Sequence, residues 1–288
     1  MDLGIVSFVD EGLGHSSHLV DLGDGTALVI DPARMPTTQR DQARAAGLTI
    51  AFTADTHTHA DYISGSPELE TDGATFLAPA AAGLAHPHTG VRDGDVIAVG
   101  RLRLEVIATP GHTPDHLAYL LLDDDDPVVL FSGGSLMVGT VGRTDLLGDE
   151  HREALAHEHY HALWERVLTL PTDLAVYPTH GAGSFCSAPG GGDRTTTIGR
   201  ERATNPLLAI DTEDEFVDRL LDGLGSFPEY FRRLPGVNQA GVAAHDSVPT
   251  LSPLTPAEVE AVVASGGIVV DARRVVDFAA GHLSGALS

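Results

Sequence analysis

Short apolar runs punctuated by Gly, Pro and Asp fill the first part of the chain and predict strands joined by turns. "SHLVDLGDGTALVIDP" carries two β-rich runs around Gly-Asp-Gly, a hairpin signal. "TTQRDQARAAG" predicts a helix, and "LTIAFTADTH" a buried strand that delivers histidines at its C-terminal end. "TFLAP", "DVIAVG" and "LRLEVIATPGHT" predict further strands, and "LAYLLLDDDDPVVLFSGG" a second hairpin whose aspartates solvate the turn. The pattern then lengthens. "GDEHREALAHEHYHALWERVLTL" predicts a long amphipathic helix, "DLAVYPTHG" a short strand and "AIDTEDEFVDRLLDGL" another helix. Strands in two batches, each closed by helices, predict an α/β architecture of stacked sheets with helices outside.

That pattern covers residues 1–240. Residues 241–254 are richer in Pro and Ser and predict a linker. "TPAEVEAVVASG" then predicts a helix with Thr255 as N-cap and Pro256 in its first turn, followed by a strand at "GIVVDAR". A segment of about thirty residues cannot bury a core of its own. Residues 255–288 are therefore expected to be the start of a second, incomplete domain.

Charge narrows the partners. The 288 residues carry 17 basic side chains, all arginine, against 41 acids, a net charge of −24. Such a chain repels phosphate backbones, which argues against nucleic acid and anionic membranes. No apolar stretch is long enough to span a bilayer, and the N-terminus lacks a basic leader region, so the cytoplasm is the expected location. The single cysteine, Cys186, excludes an intramolecular disulfide, while 15 histidines make imidazole the expected chemical group.

In "TADTHTHADYISG", His57 and His59 lie two apart and share a face of an extended chain, with Asp61 next. His112 in "TPGHT" and His180 in "YPTHG" also stand at strand ends beside Gly or Pro. Neutral imidazoles converging from strand ends would form a site for zinc or iron. "HEHYH" (157–161) satisfies H-E-x-x-H, but without a downstream third ligand it reads as a histidine-rich helix. His86 and His88 are expected in an exposed turn. His15 could approach the site from a loop, and His18 and His116 have no assigned role.

The histidine pattern resembles the metallo-β-lactamase superfamily, whose ligands follow H-x-H-x-D-H and a distant His, Asp and His. "VGRTDL" (141–146), "YPTHGAGSFC" (177–186) and "RERATNPLL" (200–208) resemble the persulfide dioxygenase branch, and "VVDARRVVDFAAGHLSGA" resembles the opening of a fused rhodanese domain. The resemblance implies an αββα sandwich and one Fe(II) per chain, with Zn(II) as alternative. It implies oxidation of a low-molecular-weight thiol persulfide, such as glutathione persulfide, by O2 to sulfite and thiol. Two positions depart from the pattern: Tyr62 replaces a second-metal histidine, and Gly134 stands where a metal-binding aspartate belongs. Three outcomes follow: His57, His59 and His112 hold the metal, Asp61 or His180 completes the shell, or the site is degraded to a sulfur-handling module. A zinc thioester hydrolase of the glyoxalase II kind is the alternative enzyme. The resemblance further implies that Arg143 anchors the thiol, that Asp61 has a catalytic or ligand-orienting role, and that Asp145 pins Arg143 or a ligand histidine. Thr113 and Tyr177 are substrate-contact candidates, Cys186 is a candidate sulfur relay, and a homodimer is an allowed assembly.

Overall fold

The structure is a computed structural model that describes residues 3–181, 184–186, 192–243 and 251–288. It divides into two compact units, Met1–Ser247 and Val248–Ser288. In the first unit, strands β1 (Ile5–Asp10), β2 (His15–Asp21), β3 (Thr26–Ile30), β4 (Thr49–Ala54), β5 (Thr75–Pro79) and β6 (Thr89–Val91) form one sheet in sequence order. The predicted hairpin is the antiparallel β2–β3 pair, and from β3 to β6 the pairing is parallel. A second sheet uses β7 (Val96–Val99), β8 (Leu102–Ala108), β9 (Leu117–Asp123) and β10 (Asp126–Gly133). A small hairpin, β11 (Leu136–Met137) with β12 (Thr140–Val141), precedes the last two strands of that sheet, β13 (Ala175–Pro178) and β14 (Thr196–Thr197).

Three apolar layers make the αββα stack. Val20, Leu28, Ile30, Leu104, Tyr119 and Phe131 fill the space between the sheets. Helices α1 (Thr37–Ala45) and α2 (Ser66–Thr71) cover the first sheet, burying Ala43 and Leu69 against Leu19 and Val29. On the far side, α3 (Asp149–Glu165), α4 (Ile198–Thr204) and α5 (Glu213–Asp222) cover the second sheet through Ala156, Leu163, Ile198, Phe216 and Leu220. Helix α5 starts where Thr212 accepts a bond from the Glu215 amide and three acids occupy its first turn, which satisfies free amides and the helix dipole. Its apolar residues at spacings of one and four then face the core. A short helix α6 (Leu234–Ala240) follows.

The second unit contains α7 (Pro256–Ala264) and α8 (Val275–Ala280). Thr255 and Glu258 form the capping box at α7, as Thr255-Pro256 predicts. The strand expected at "GIVVDAR" is reduced to one parallel bridge, Val270 with Leu287. No described residue of 251–288 is buried, in line with the small size of the segment. The linker expected over 241–254 lies partly outside the described residues.

Candidate metal centre

The loops after β4, β8, β10 and β13 meet at one edge of the sandwich. They carry His57, His59 and Asp61, then His112, Gly134 and His180. All five side chains among them are buried. The rings of His57 and His59 lie 4.1 Å apart, and His112 and His180 stand 4.8 and 5.5 Å from His57. Ligand atoms of His57, His112 and His180 fall within 4.8 Å of one another, and so do those of His59, Asp61 and His180. Thus His180 belongs to both groups, a more central position than its place late in the sequence suggests.

The hydrogen bonds settle which nitrogen of each ring keeps a lone pair. His112 Nδ1–H donates to the Arg143 carbonyl (2.7 Å), so Nε2 is the lone-pair nitrogen. Thr56 Oγ1 gives its proton to Asp31 Oδ2 (2.8 Å), so it accepts from His57 Nδ1–H (2.9 Å), and again Nε2 is left. His59 Nε2–H donates to Asp31 Oδ1 (3.0 Å), which leaves Nδ1. Those three nitrogens, both nitrogens of His180 and both oxygens of Asp61 are buried without a hydrogen-bond partner. Buried polar atoms are normally paired. A set of converging orphaned donors fits a metal cation; the rings of His57, His59 and His112 are each held by a hydrogen bond on their far side, and His180 Nδ1 stands 3.4 Å from Asp61 Oδ2.

Charge follows the same geometry. Burial pushes His112 down to about 3 and His57 well below its usual value, with neighbouring imidazoles adding to the effect, so both rings are neutral donors. Burial opposes ionisation of Asp61, but His180 and His59 outweigh it and hold the carboxyl below the usual range.

Asp31 is the organiser that sequence reasoning missed. It sits just past β3 with φ 49°, in the left-handed region, and is fully buried. Its two oxygens accept from the Thr56 amide (2.7 Å), Thr56 Oγ1, Thr179 Oγ1 and His59. An acid directly after the wholly apolar "ALVI" was the available signal. Tyr62 donates to the Asp31 carbonyl (3.3 Å) with its hydroxyl 2.9 Å from His59 Nε2. Its ring stacks on His59 and packs against His15. His15 in turn donates to the same Asp31 carbonyl at 2.9 Å, so it braces the site from behind.

Gly134 is explained by His112. A Cβ on Gly134 would lie 2.4 Å from His112 Cδ2, and one on Gly142 would lie 2.8 Å from His112 Cγ. The imidazole occupies a slot between two glycines, in the space a ligand aspartate's first carbon would need. His116, unassigned from sequence, accepts from the Gly134 amide (2.8 Å) and stacks on His57, fixing that turn.

A crystallised metallo-β-lactamase from Staphylococcus aureus superposes with a TM-score of 0.86 at 29% identity, covering 99% of this chain and 84% of that one. The human mitochondrial persulfide dioxygenase ETHE1 is 34% identical over 195 residues, 66% of this chain and 69% of that protein. The chain belongs to the metallo-β-lactamase superfamily. A third similar member of the superfamily is a hydroxyacylglutathione hydrolase from a Synechococcus strain, 31% identical over 67% of this chain and 86% of its own length. No family model matches the sequence.

Within this metallo-β-lactamase fold, the remaining expected residues separate. Arg143 is buried and bidentate to Asp145 (2.6 and 2.8 Å), and it also donates to the Phe185 and Gly225 carbonyls. Its guanidinium lies 4.5 Å over the Phe227 ring. The fork expected to hold a thiol is thus turned inward, bracing the loop that carries Cys186. Thr113 stays near His112 with its hydroxyl unpartnered. Tyr177 lies instead in the layer between the sheets, against His18 and Phe131. Cys186 packs with Ala60, Leu146 and Phe231, and burial, reinforced by Asp61, pushes its thiol well above the usual range. The H-E-x-x-H pair is a surface feature: His157 and His161 both turn to Glu213 on α5. His86 bonds to the Asn238 carbonyl and is part-buried rather than free in a turn. Among the described residues no helix is long and apolar enough to cross a membrane.

Proposed function

We propose that the chain is a persulfide dioxygenase, converting a low-molecular-weight thiol persulfide, O2 and water into thiol, sulfite and protons at one iron. The observation that carries the reading is the donor set. Three buried imidazoles, His57, His112 and His180, converge with no bridging carboxylate at 134. The kinship with the human persulfide dioxygenase supports it. His57, His112 and His180 would hold the metal. His59 and Asp61 complete or orient the shell, which widens the expected trio of His57, His59 and His112. When bound, ferrous iron supplies open positions where a sulfur anion and O2 can be held together. The chain's own part is to fix the tautomers through Asp31, Thr56 and the Arg143 carbonyl, and to bury the site. The segment 255–288 is read as the opening of a rhodanese-like domain, a sulfur-transfer partner for such chemistry.

A zinc thioester hydrolase is the second reading, favoured by the His59–Asp61–His180 group and by the hydroxyacylglutathione hydrolase relative. Elemental analysis of protein purified without oxygen or chelators, followed by persulfide-dependent O2 uptake, separates the two. About one iron per chain is expected, with O2 consumed and sulfite formed. Zinc with thioester cleavage and no O2 uptake would establish the hydrolase instead.

A further inference from the structure

The loop from β4 to α2 carries three of the donor residues, His57, His59 and Asp61, and its backbone is irregular. Groups from elsewhere in the fold therefore fix its path. Asp115 pins the first part, accepting from the Thr58 amide and hydroxyl at 2.9 and 2.6 Å. The Arg34 amide pins the last part, donating to the Ile63 carbonyl at 2.8 Å. Asp61 stands in the stretch between, and neither of its oxygens has a hydrogen-bond partner. Its approach to His180 is thus set by the path of the backbone that carries it.

One buried side chain holds that stretch. Asn238 of α6, 174 to 179 residues further along the chain, donates to the His59 carbonyl (2.8 Å) and the Tyr62 carbonyl (2.9 Å) and accepts from the Ser64 amide (3.0 Å). A carboxamide supplies both kinds of group on one short stem, whereas a carboxylate only accepts. The helix behind Asn238 is anchored separately. His86 Nε2–H donates to the Asn238 carbonyl at 3.0 Å, the Ala85 amide to the Gln239 carbonyl at 2.8 Å, and the Gln239 side chain to the Ala82 carbonyl at 2.9 Å. Asn238 therefore ties the backbone on both sides of Asp61 to a helix that is already fixed on segment 82–86.

We propose that Asn238 is a positioning residue of the metal centre: its carboxamide sets the backbone of residues 59–64, and through it the aim of Asp61 at the site. The proposal rests on the metal-centre part of the functional reading and holds for either metal and either reaction. An outer group that orients a donor acts on metal affinity as well as on folding, because a loop that must reorder on binding binds more weakly.

Cobalt(II) titration of the metal-free protein, followed by visible absorption, reports both affinity and donor geometry. Asn238→Asp keeps the shape of the side chain and removes both donors. It is expected to bind cobalt at least about tenfold more weakly, with a changed absorption spectrum. Gln239→Ala removes a bond of the same helix to the Ala82 carbonyl and leaves the metal loop untouched, so it is expected to keep the affinity and the spectrum. Unchanged affinity and spectrum in Asn238→Asp would overturn the proposal, and so would an equal loss in Gln239→Ala, which would assign the effect to helix docking as a whole. The unsubstituted protein gives a second test that needs no variant to fold. By reciprocity, metal binding must tighten the same clamp, so the Asn238 carboxamide protons and the Ser64 amide are expected to exchange more slowly in zinc-loaded than in metal-free protein. Zinc uptake with unchanged exchange would remove this proposal alone, whereas refusal of both metals would remove the metal centre with it.

Discussion

Replacing Gly134 by alanine is the sharpest perturbation of the site, because the structure defines what the added methyl meets. It lands 2.4 Å from His112 Cδ2 and 3.0 Å from Cγ and Nε2, all atoms of a rigid ring. Carbon contacts settle near 3.5 Å or more, so the ring must retreat by about 1 Å. Gly142 lies against the same ring, and the Nδ1 bond to the Arg143 carbonyl tethers it at 2.7 Å. Overpacking of this kind costs about 1–3 kcal/mol, and losing the tether about 1 kcal/mol more. The φ of Gly134 is not in the left-handed region, so the effect is steric alone. Denaturant unfolding of the metal-free protein reads the stability, and elemental analysis reads the metal. Gly134→Ala is expected to lose about 2–4 kcal/mol and most of its bound metal. Gly134→Asp, which supplies the carboxylate that the family resemblance leads one to expect here, is expected to lower metal content for the same reason. Gly236→Ala is the control, since its Cβ would meet nothing within 4 Å. Unchanged stability and full metal loading in Gly134→Ala would refute the reasoning, and a gain of metal in Gly134→Asp would show that His112 can yield the position.

Three further outcomes follow from the same network. Asp31→Asn leaves one acceptor oxygen for four donors and is expected to cost about 3–5 kcal/mol by denaturant unfolding; a loss under about 1 kcal/mol would show that the buried charge is not organising His59. Cys186→Ser is expected to keep its metal, and the native thiol to resist alkylation at pH 8 until the protein unfolds; rapid alkylation of folded protein would return Cys186 to the list of reactive groups. Burial pushes His18 down to about 4, so the unfolded chain binds a proton that the folded chain refuses. Its contribution is complete above about pH 6.5 and is lost as pH falls toward 4, amounting to about 2 kcal/mol between pH 7 and pH 5. His18→Gln should flatten the pH dependence of the metal-free protein by that amount, and an unchanged slope would contradict it.

Much of the fold was legible in the sequence because its signals are local. "TFLAP" is the whole of β5, the Gly-Asp-Gly turn joins β2 to β3, and Thr255-Pro256 caps α7. Short elements such as α2, α4 and the β11–β12 hairpin were not read, since seven residues or fewer leave no usable period. The residue types of the site were equally legible, because His57, His59 and Asp61 declare themselves by spacing and His112 and His180 by their place at strand ends.

What only tertiary structure decided is how those donors are shared and aimed. Asp31 reaches Thr56, His59 and Thr179 across 25 to 148 residues of chain, and no local pattern encodes that meeting. Arg143, expected to anchor a thiol, turns inward onto Asp145, while Gly134 looks like a lost ligand and is the floor of the His112 slot. The division has one physical cause: a residue's chemistry is its own, but its protonation, its free lone pair and the space around it belong to its neighbours, and those are assembled only when distant loops close over the same edge of the sandwich.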